Sequence, residues 1–352
     1  MVLWVYTTDF EKVAVIDTFE SLIWTDRYQY AGDFELYMSP SNDLLQYLVK
    51  GYYIMSNESD HLMIIEGIKI TSDIETGNHL TITGRSLESI LDRRIIWDQT
   101  NFDNANLQNA IKKLLTNAII SPSDADRQIS NFKFETSTDE NITSLKLDAQ
   151  YTGANLYNTI SEICVANNIG FQIIPDDDWN FVFSLYCGED HSYSQTALPH
   201  VVFSPRFENI INSNYLESDE KIKNVVLVAG EGEGSDRTKY SVGSSSGLAR
   251  RELYVDARDL SSTTSDGTLS ASVYKSMLIN RGKEKLADYS VETYFEGKVE
   301  STQIFVFGTD YNVGDIVQIV NEYNVKARVR VTEVIRAQDI NGFSTVPTFE
   351  AV

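Results

Sequence analysis

The chain has 352 residues, with 51 Asp and Glu against 29 Lys and Arg and a formal net charge of −22 at pH 7. That balance repels phosphate backbones and disfavours a specific nucleic-acid binder, whose affinity rests on Lys/Arg displacing counterions. Only 6 Pro and 19 Gly occur, against 42% hydrophobic residues, so collagenous and disordered classes are set aside and the length calls for two to four compact units.

The aromatic load of 19 Tyr, 16 Phe and 4 Trp leans the chain towards strands. The N-terminus MVLWVYTTDF lacks a basic region followed by an apolar stretch, so synthesis in the cytoplasm without a signal peptide is expected. No run approaches the ~18 apolar residues of a membrane span.

Residues 1–96 read as consecutive short strands: Leu3–Tyr6, Ala14–Ile16, Ser21–Tyr28, Asp33–Met38, Tyr52–Met55, Leu62–Ser72 and Asn78–Arg85. Asp43–Val49 reads as one short helix between them. The segment Glu75-Thr76-Gly77-Asn78 is a hairpin turn, with Gly77 supplying positive φ. This pattern predicts a small barrel or sandwich.

Residues 97–196 change character. Leu107, Ile111, Leu114, Leu115 and Ala118 fall at helical spacing within Asn104–Ala118, with Asp103 or Asn104 as N-cap. Gly153–Asn168 repeats the pattern with Leu156, Ile160, Ile163 and Cys164, and stops at Asn167–Gly170. Phe171–Ile174 and Trp179–Tyr186 form a hairpin across Pro175–Asp178. Cys164 and Cys187 read as two free thiols in a reducing compartment, with a single bridge as the alternative.

Strands return at 200–235, notably Val225–Ala229. Residues 230–267 read as long polar loops. Leu269–Tyr289 reads as a helix with Val273, Met277, Ile279 or Asn280, Leu286 and Tyr289 near one side. The last strands are Val291–Phe295, Gln303–Val306, Ile316–Asn321, Lys326–Ala337 and Val346–Glu350. The expected fold class is therefore α+β, mostly β. Two barrel-like strand domains, 1–96 and 197–240 plus 290–352, enclose an α+β insert at 97–196 and a loop-and-helix insert at 241–289.

Fragments that resemble chemical motifs lack the context those chemistries need. Gly243-Ser244-Ser245-Ser246-Gly247 fits G-x-S-x-G, but it has no helix after it and no histidine downstream. Gly230-Glu231-Gly232-Glu233-Gly234 follows a strand as a phosphate loop does, yet its two glutamates would repel phosphate. Asp176-Asp177-Asp178 lacks the alternation, central Gly and terminal Glu of a Ca²⁺ loop. His61, His79, His191 and His200 form no zinc motif, and Glu189-Asp190-His191 has no nucleophile beside it. No catalytic, cofactor-binding or metal-binding residue is expected, and no cofactor. Distant carboxylate pairs for glycosidic chemistry stay open among 51 acidic residues.

Two stretches carry a family resemblance. One is Tyr311-x-Val313-Gly314-Asp315-x-Val317, running into a strand that pairs with the alternating Arg328-Val329-Arg330-Val331. The other is Gly84-Arg85-Ser86-Leu87 at the end of a strand set containing Tyr28, Gly32 and Phe34–Tyr37, followed by Arg93-Arg94. Together they resemble the baseplate hub proteins of long-tailed phages and prophages, whose fold is shared with the N-terminal part of tail-associated lysins.

The resemblance implies a homotrimeric ring that adapts a sixfold tail tube to a threefold spike or fibre at the tail tip of a virion. Its implied partners are the distal tail or tail tube protein, the tape-measure protein and the spike or fibre protein. DNA would pass through without specific binding, past a lumen kept unsticky by carboxylates, and no membrane insertion is implied. The chain ends directly after its last strand set, where lysin relatives continue, which argues against an enzyme. The alternatives are a receptor- or polysaccharide-binding tail protein, for which Tyr and Trp would supply stacking surfaces, and a cell-wall hydrolase.

Overall fold

The structure is a computed structural model. It describes all residues except 76, 265–266, 290–291 and 300–303, and only the backbone of 211–215, 217, 264 and 292–299. The N-terminal strands are β1 (Leu3–Tyr6), β2 (Lys12–Ile16), β3 (Ser21–Arg27), β4 (Asp33–Met38), β5 (Tyr53–Ser56), β6 (Leu62–Asp73) and β7 (Gly77–Ser86). Period-2 alternation sends Leu3, Leu22, Trp24, Leu36, Ile54 and Ile82 into one buried cluster. Helix α1 (Asn42–Leu45), capped by Ser41 Oγ accepting from Leu44 N at 3.3 Å, is one turn rather than two. The expected turn keeps Gly77 at φ +90, while Thr76 lies outside the described residues.

The next region holds β8 (Thr100–Asn106), α2 (Leu107–Leu115), β9 (Phe132–Phe134), α3 (Glu140–Thr143), β10 (Lys146–Tyr151), α4 (Leu156–Ala166), β11 (Gly170–Pro175) and β12 (Phe181–Tyr186). Asn106, not Asp103 or Asn104, caps α2, accepting from Asn109 N at 3.1 Å. Asn104 instead lies in β8 at φ +45. The expected helix end at Ala118 becomes a wide π turn over Thr116–Ile120. Leu107, Ile111, Leu114, Leu156, Ile160 and Ile163 meet in a second buried cluster. Cys164 is buried there and Cys187 is half-buried; both are free, so the alternative of a bridge is not realised.

The remainder comprises β13 (Val202–Phe203), β14 (Ile210–Ser218), β15 (Val225–Ala229), β16 (Lys239–Val242), β17 (Glu252–Asp256), β18 (Thr263–Thr264), β19 (Gly267–Thr268), α5 (Ala271–Ala287), β20 (Glu292–Val299), β21 (Ile316–Val320), β22 (Lys326–Asp339) and β23 (Gly342–Ala351). Within the expected polar loops, β16 and β17 flank β15, and α5 packs Tyr274, Met277 and Leu278 beneath them in their own cluster. Of the expected strand Gln303–Val306, Gln303 lies outside the described residues, and Ile304–Val306 are irregular. A fourth cluster gathers Phe203, Tyr311, Val317, Ile319, Val329 and Phe349.

The chain is mostly β with added helices, as expected, but the strands do not close into barrels. One path runs β14-β20-β23-β22-β3-β4-β7-β6-β5-β1-β2, with β21 and β13 branching from β22, and it is open among the described residues. The 14 residues of β22 explain the continuity. Its first part, Lys326–Arg330, pairs with β21, and its second, Glu333–Asp339, pairs with β3. A bulge between Val331 and Glu333, in the pairing with β23, lies at the changeover. Bulges re-aim a strand and increase its twist, which lets one strand serve two neighbours.

Candidate functional site

The two resemblance motifs meet at Tyr28, where the N-terminal sheet, the helical region and the C-terminal strands converge. Tyr28 follows β3 and is fully buried. Its N–H donates to Thr332 O at 3.0 Å, and its carbonyl accepts from Phe171 N at 3.2 Å. Its hydroxyl donates to Asn168 O at 3.1 Å, and the Arg330 guanidinium lies 5.1 Å from its ring centroid. Burial pushes the phenol up to about 12, partly opposed by Arg330.

The glycine of the Y-x-V-G-D-x-V stretch follows from this packing. Gly314 sits at φ +99, and a Cβ on it would lie 2.5 Å from the Tyr28 ring. Asp315 beside it is buried and accepts from Glu189 N and Asn312 N, each at 2.7 Å. Burial raises its carboxyl against those two donors. Tyr311 and Val317 fill the C-terminal core. In the other stretch a Cβ on Gly84 would meet Ile64 O at 1.8 Å, so β6 and β7 could not pair there with a larger residue. Arg85 grips Glu66 with two bonds of 2.8 and 3.1 Å, and buried Ser86 Oγ accepts from Gly32 N at 2.8 Å.

A row of ion pairs crosses the β3–β22 seam. Arg27 contacts Glu333 at 2.5 Å and Asp33 at 2.6 Å. Deeper, Arg336 and Asp26 pair while 3% and 5% exposed, and Asp26 also accepts from Trp24 Nε1 and Ser59 Oγ, both at 3.2 Å. His61 lies 3.4 Å from buried Glu88, whose Oε1 accepts from Ile173 N at 2.7 Å. Burial alone would lower the imidazole, but Glu88 and Asp26 outweigh it and push His61 up to about 9. Burial would likewise raise Glu88, yet the His61 charge and its hydrogen bonds hold it below the ordinary carboxylate range. Among the described residues, Arg336 Nε, His61 Nδ1 and Glu88 Oε2 are buried without a hydrogen-bond partner, His61 Nδ1 meeting Glu88 only as the 3.4 Å ion pair. Beside this cluster opens a cavity of about 1100 Å³ at the junction of the three regions.

The motif fragments elsewhere take structural parts. Ser245 is half-buried in the loop after β16, where its carbonyl accepts from Arg250 Nη1 at 3.1 Å. Glu231 turns back to Ser261 Oγ (2.8 Å) and Ser262 N (3.0 Å), and the bonds from Ser262 and Ser261 keep its carboxyl low. Asp176 closes the β11–β12 turn by accepting from Asn180 N at 2.8 Å and Asp178 N at 3.0 Å. His79 stacks on Tyr37 with centroids 5.0 Å apart, and His200 contacts Gln195 O at 2.9 Å. His191 bonds Pro199 O at 2.9 Å, with Asp315 3.8 Å from its other nitrogen. Among the described residues no group of three His, Cys, Asp or Glu is arranged to hold a metal ion. The seam itself is not foreseen from sequence, since its partners lie 306 and 310 residues apart. Its one visible signal is the Arg-Val alternation of β22.

The fold is similar to that of tail proteins from three bacteria. The tail protein from Neisseria meningitidis MC58 aligns at a TM-score of 0.59 and 14% identity, over 99% of this chain and 95% of that one. The prophage MuSo2 43 kDa tail protein from Shewanella oneidensis aligns at 0.61 and 12%, over 100% and 98%. Prophage tail protein gp18 from Listeria monocytogenes EGD-e aligns at 0.56 and 11%, over 99% and 94%. No curated protein is matched by sequence. The family model described as Siphovirus ReqiPepy6 Gp37-like protein matches residues 2–349, and the chain belongs to that family.

Proposed function

We propose that the chain is a structural baseplate hub of a phage or phage-like tail, forming a trimeric ring that adapts a sixfold tail tube to a threefold spike or fibre. The observation that carries this reading is the β3–β22 seam. It holds two strand units side by side in one sheet, each with its own buried cluster, so three chains would present six strand units to a sixfold partner. The units are taken as 1–96 and 197–240 plus 290–352, with 97–196 and 241–289 as inserts towards the tip, although β15 and β16 of the second unit stand in a separate sheet with β17. The whole-chain likeness to tail proteins supports the same reading.

The function is contact formation rather than catalysis, within a virion tail tip. Its partners are the tail tube or distal tail protein, the tape-measure protein and the spike or fibre protein. A net charge of −22 suits a channel wall past which DNA moves without sticking, because wall charges act within about 8 Å in physiological salt. Light scattering and electron microscopy of the purified chain test the proposal. Rings of three copies are expected, and a strictly monomeric chain at high concentration counts against them.

A further inference from the structure

The two strand units repeat one topology. The first runs β3-β4-β7-β6, with β5 on the start of β6; the second runs β14-β20-β23-β22, with β21 on the start of β22. The registers agree as well. Ile64 of β6 pairs with Tyr53, the first residue of β5, and Arg330 of β22 pairs with Ile316, the first residue of β21. The ladder to the hairpin partner then breaks once, between Ile65 and Gly67 in β6 and between Val331 and Glu333 in β22. Gly67 thus stands where Glu333 does, and Ile68 and Ile70 stand where Val334 and Arg336 do. Across the strands, the backbone positions Trp24, Phe34 and Gly84 of the first unit correspond to Tyr215, Phe295 and Phe349 of the second.

The two units differ at one edge. From Glu333 to Asp339, β22 is covered by β3, so Val334 and Arg336 are only 0% and 3% exposed. Among the described residues, Ile68–Ser72 of β6 pair with β7 alone, and Ile68 and Ile70 are 37% and 53% exposed. Strand β14, the counterpart of β3, likewise pairs with β20 alone. An open edge carrying β-branched apolar residues is a template for another strand. One chain does not join these two edges, because the path places six strands between them, about 34 Å at the usual strand spacing.

We infer that the edge of β6 from Ile68 to Ser72 receives β14 of a second copy of this chain as an antiparallel strand, repeating between chains the β3–β22 seam found within one. Resting on the proposed ring, the pairing names the contact that closes it. The two edges are different surfaces, so each copy uses both, and the head-to-tail contact closes when the last copy meets the first. The seam register carried over sets Lys69 opposite Leu216 of the next copy, as Ile335 is opposite Thr25. Tyr28 N donates to Thr332 O three pairs further along, so the Ile335–Thr25 pair falls between ladder hydrogen bonds, where opposed side chains are closest.

That closeness makes a disulfide the test. Lys69 and Leu216 are both exposed in the single chain. Lys69→Cys, Leu216→Cys is placed in a Cys187→Ser background, where the remaining Cys164 is fully buried. Copper–phenanthroline oxidation is expected to give covalent dimers and trimers on non-reducing gels. Either cysteine alone, or the off-register pair Thr71→Cys, Leu216→Cys, is expected to give none. Ile68→Lys, Ile70→Lys is expected to weaken self-association, read by analytical ultracentrifugation, by about tenfold or more, with an unchanged melt of the single chain. Leu248→Lys, Ile340→Lys, an equal charge change at fully exposed tips, is expected to leave it unchanged. Rings of three that lack the bridge and survive Ile68→Lys, Ile70→Lys overturn the pairing and leave the ring standing. Bridged ladders that run beyond three copies keep the pairing and overturn the ring. No bridge and no self-association at high concentration overturn both.

Discussion

Replacing Arg336 by Met tests whether the seam between the strand units depends on its buried ion pair. Both partners are almost fully buried, at 3% and 5% exposure, and Met keeps most of the aliphatic volume. What is lost is the charge facing Asp26, whose remaining donors are Trp24 Nε1 and Ser59 Oγ. Stranding one member of a buried pair costs about 3–5 kcal/mol, whereas replacing both by uncharged groups is often neutral. Arg336→Met should therefore raise the unfolding constant by a factor of about 150 or more, at 1.36 kcal/mol per tenfold. The double variant Asp26→Asn, Arg336→Met should recover most of that loss. Urea unfolding followed by tryptophan fluorescence suits the test, because Trp24 bonds directly to Asp26. A single variant within 1 kcal/mol of the parent, or a double variant as unstable as the summed single variants, would falsify the view that this pair anchors the seam.

Gly314→Ala should destabilise the chain more than an ordinary loop substitution, since its φ of +99 and the Tyr28 ring at 2.5 Å both resist a Cβ. Thermal melts against Gly308→Ala, where φ is +81 but nothing lies near, separate the steric part from the conformational one. Glu284 on α5 is buried against Tyr151 and pushed up to about 7 by burial, so its folded pKa exceeds the unfolded value. Its contribution is fully present below about pH 4.5 and is lost as pH rises through 7; Glu284→Gln should flatten that part of the stability profile. His61, also raised, favours the fold below about pH 6.5 and loses that contribution as pH rises through 9, and His61→Gln should remove the alkaline decline. Mass spectrometry after alkylation should find one modified thiol in the native chain and two in denaturant.

Much of the strand layout was legible because alternation is local. The bounds of β1, β4 and β15 follow directly from runs such as Leu3–Tyr6 and Val225–Ala229. Helix α5 was legible in extent but not in face. It is sandwiched between β15 and β10, so Gly282 and Glu284 are buried alongside Met277. Strand β8 was not legible, because Thr100–Asn106 is rich in Asn and gains its pairing from β10, whose partner residues lie 40 or more positions along the chain. The openness of the sheet was hidden for a related reason. Period 2 fixes which face a residue occupies and says nothing of which strand lies beside it. The seam residues Asp26, Arg27, Glu333 and Arg336 read as ordinary surface charges until β3 and β22 are paired. The glycines of the two resemblance motifs were visible as pattern, and the Tyr28 ring and Ile64 carbonyl supply their physical reason.

Copy number in an assembled tail tests the hub proposal most directly. Electron cryomicroscopy of the tail tip should find three copies of this chain in one ring, with six strand units around the axis and carboxylates towards the lumen. Six copies, or a position off the tail axis, would contradict it.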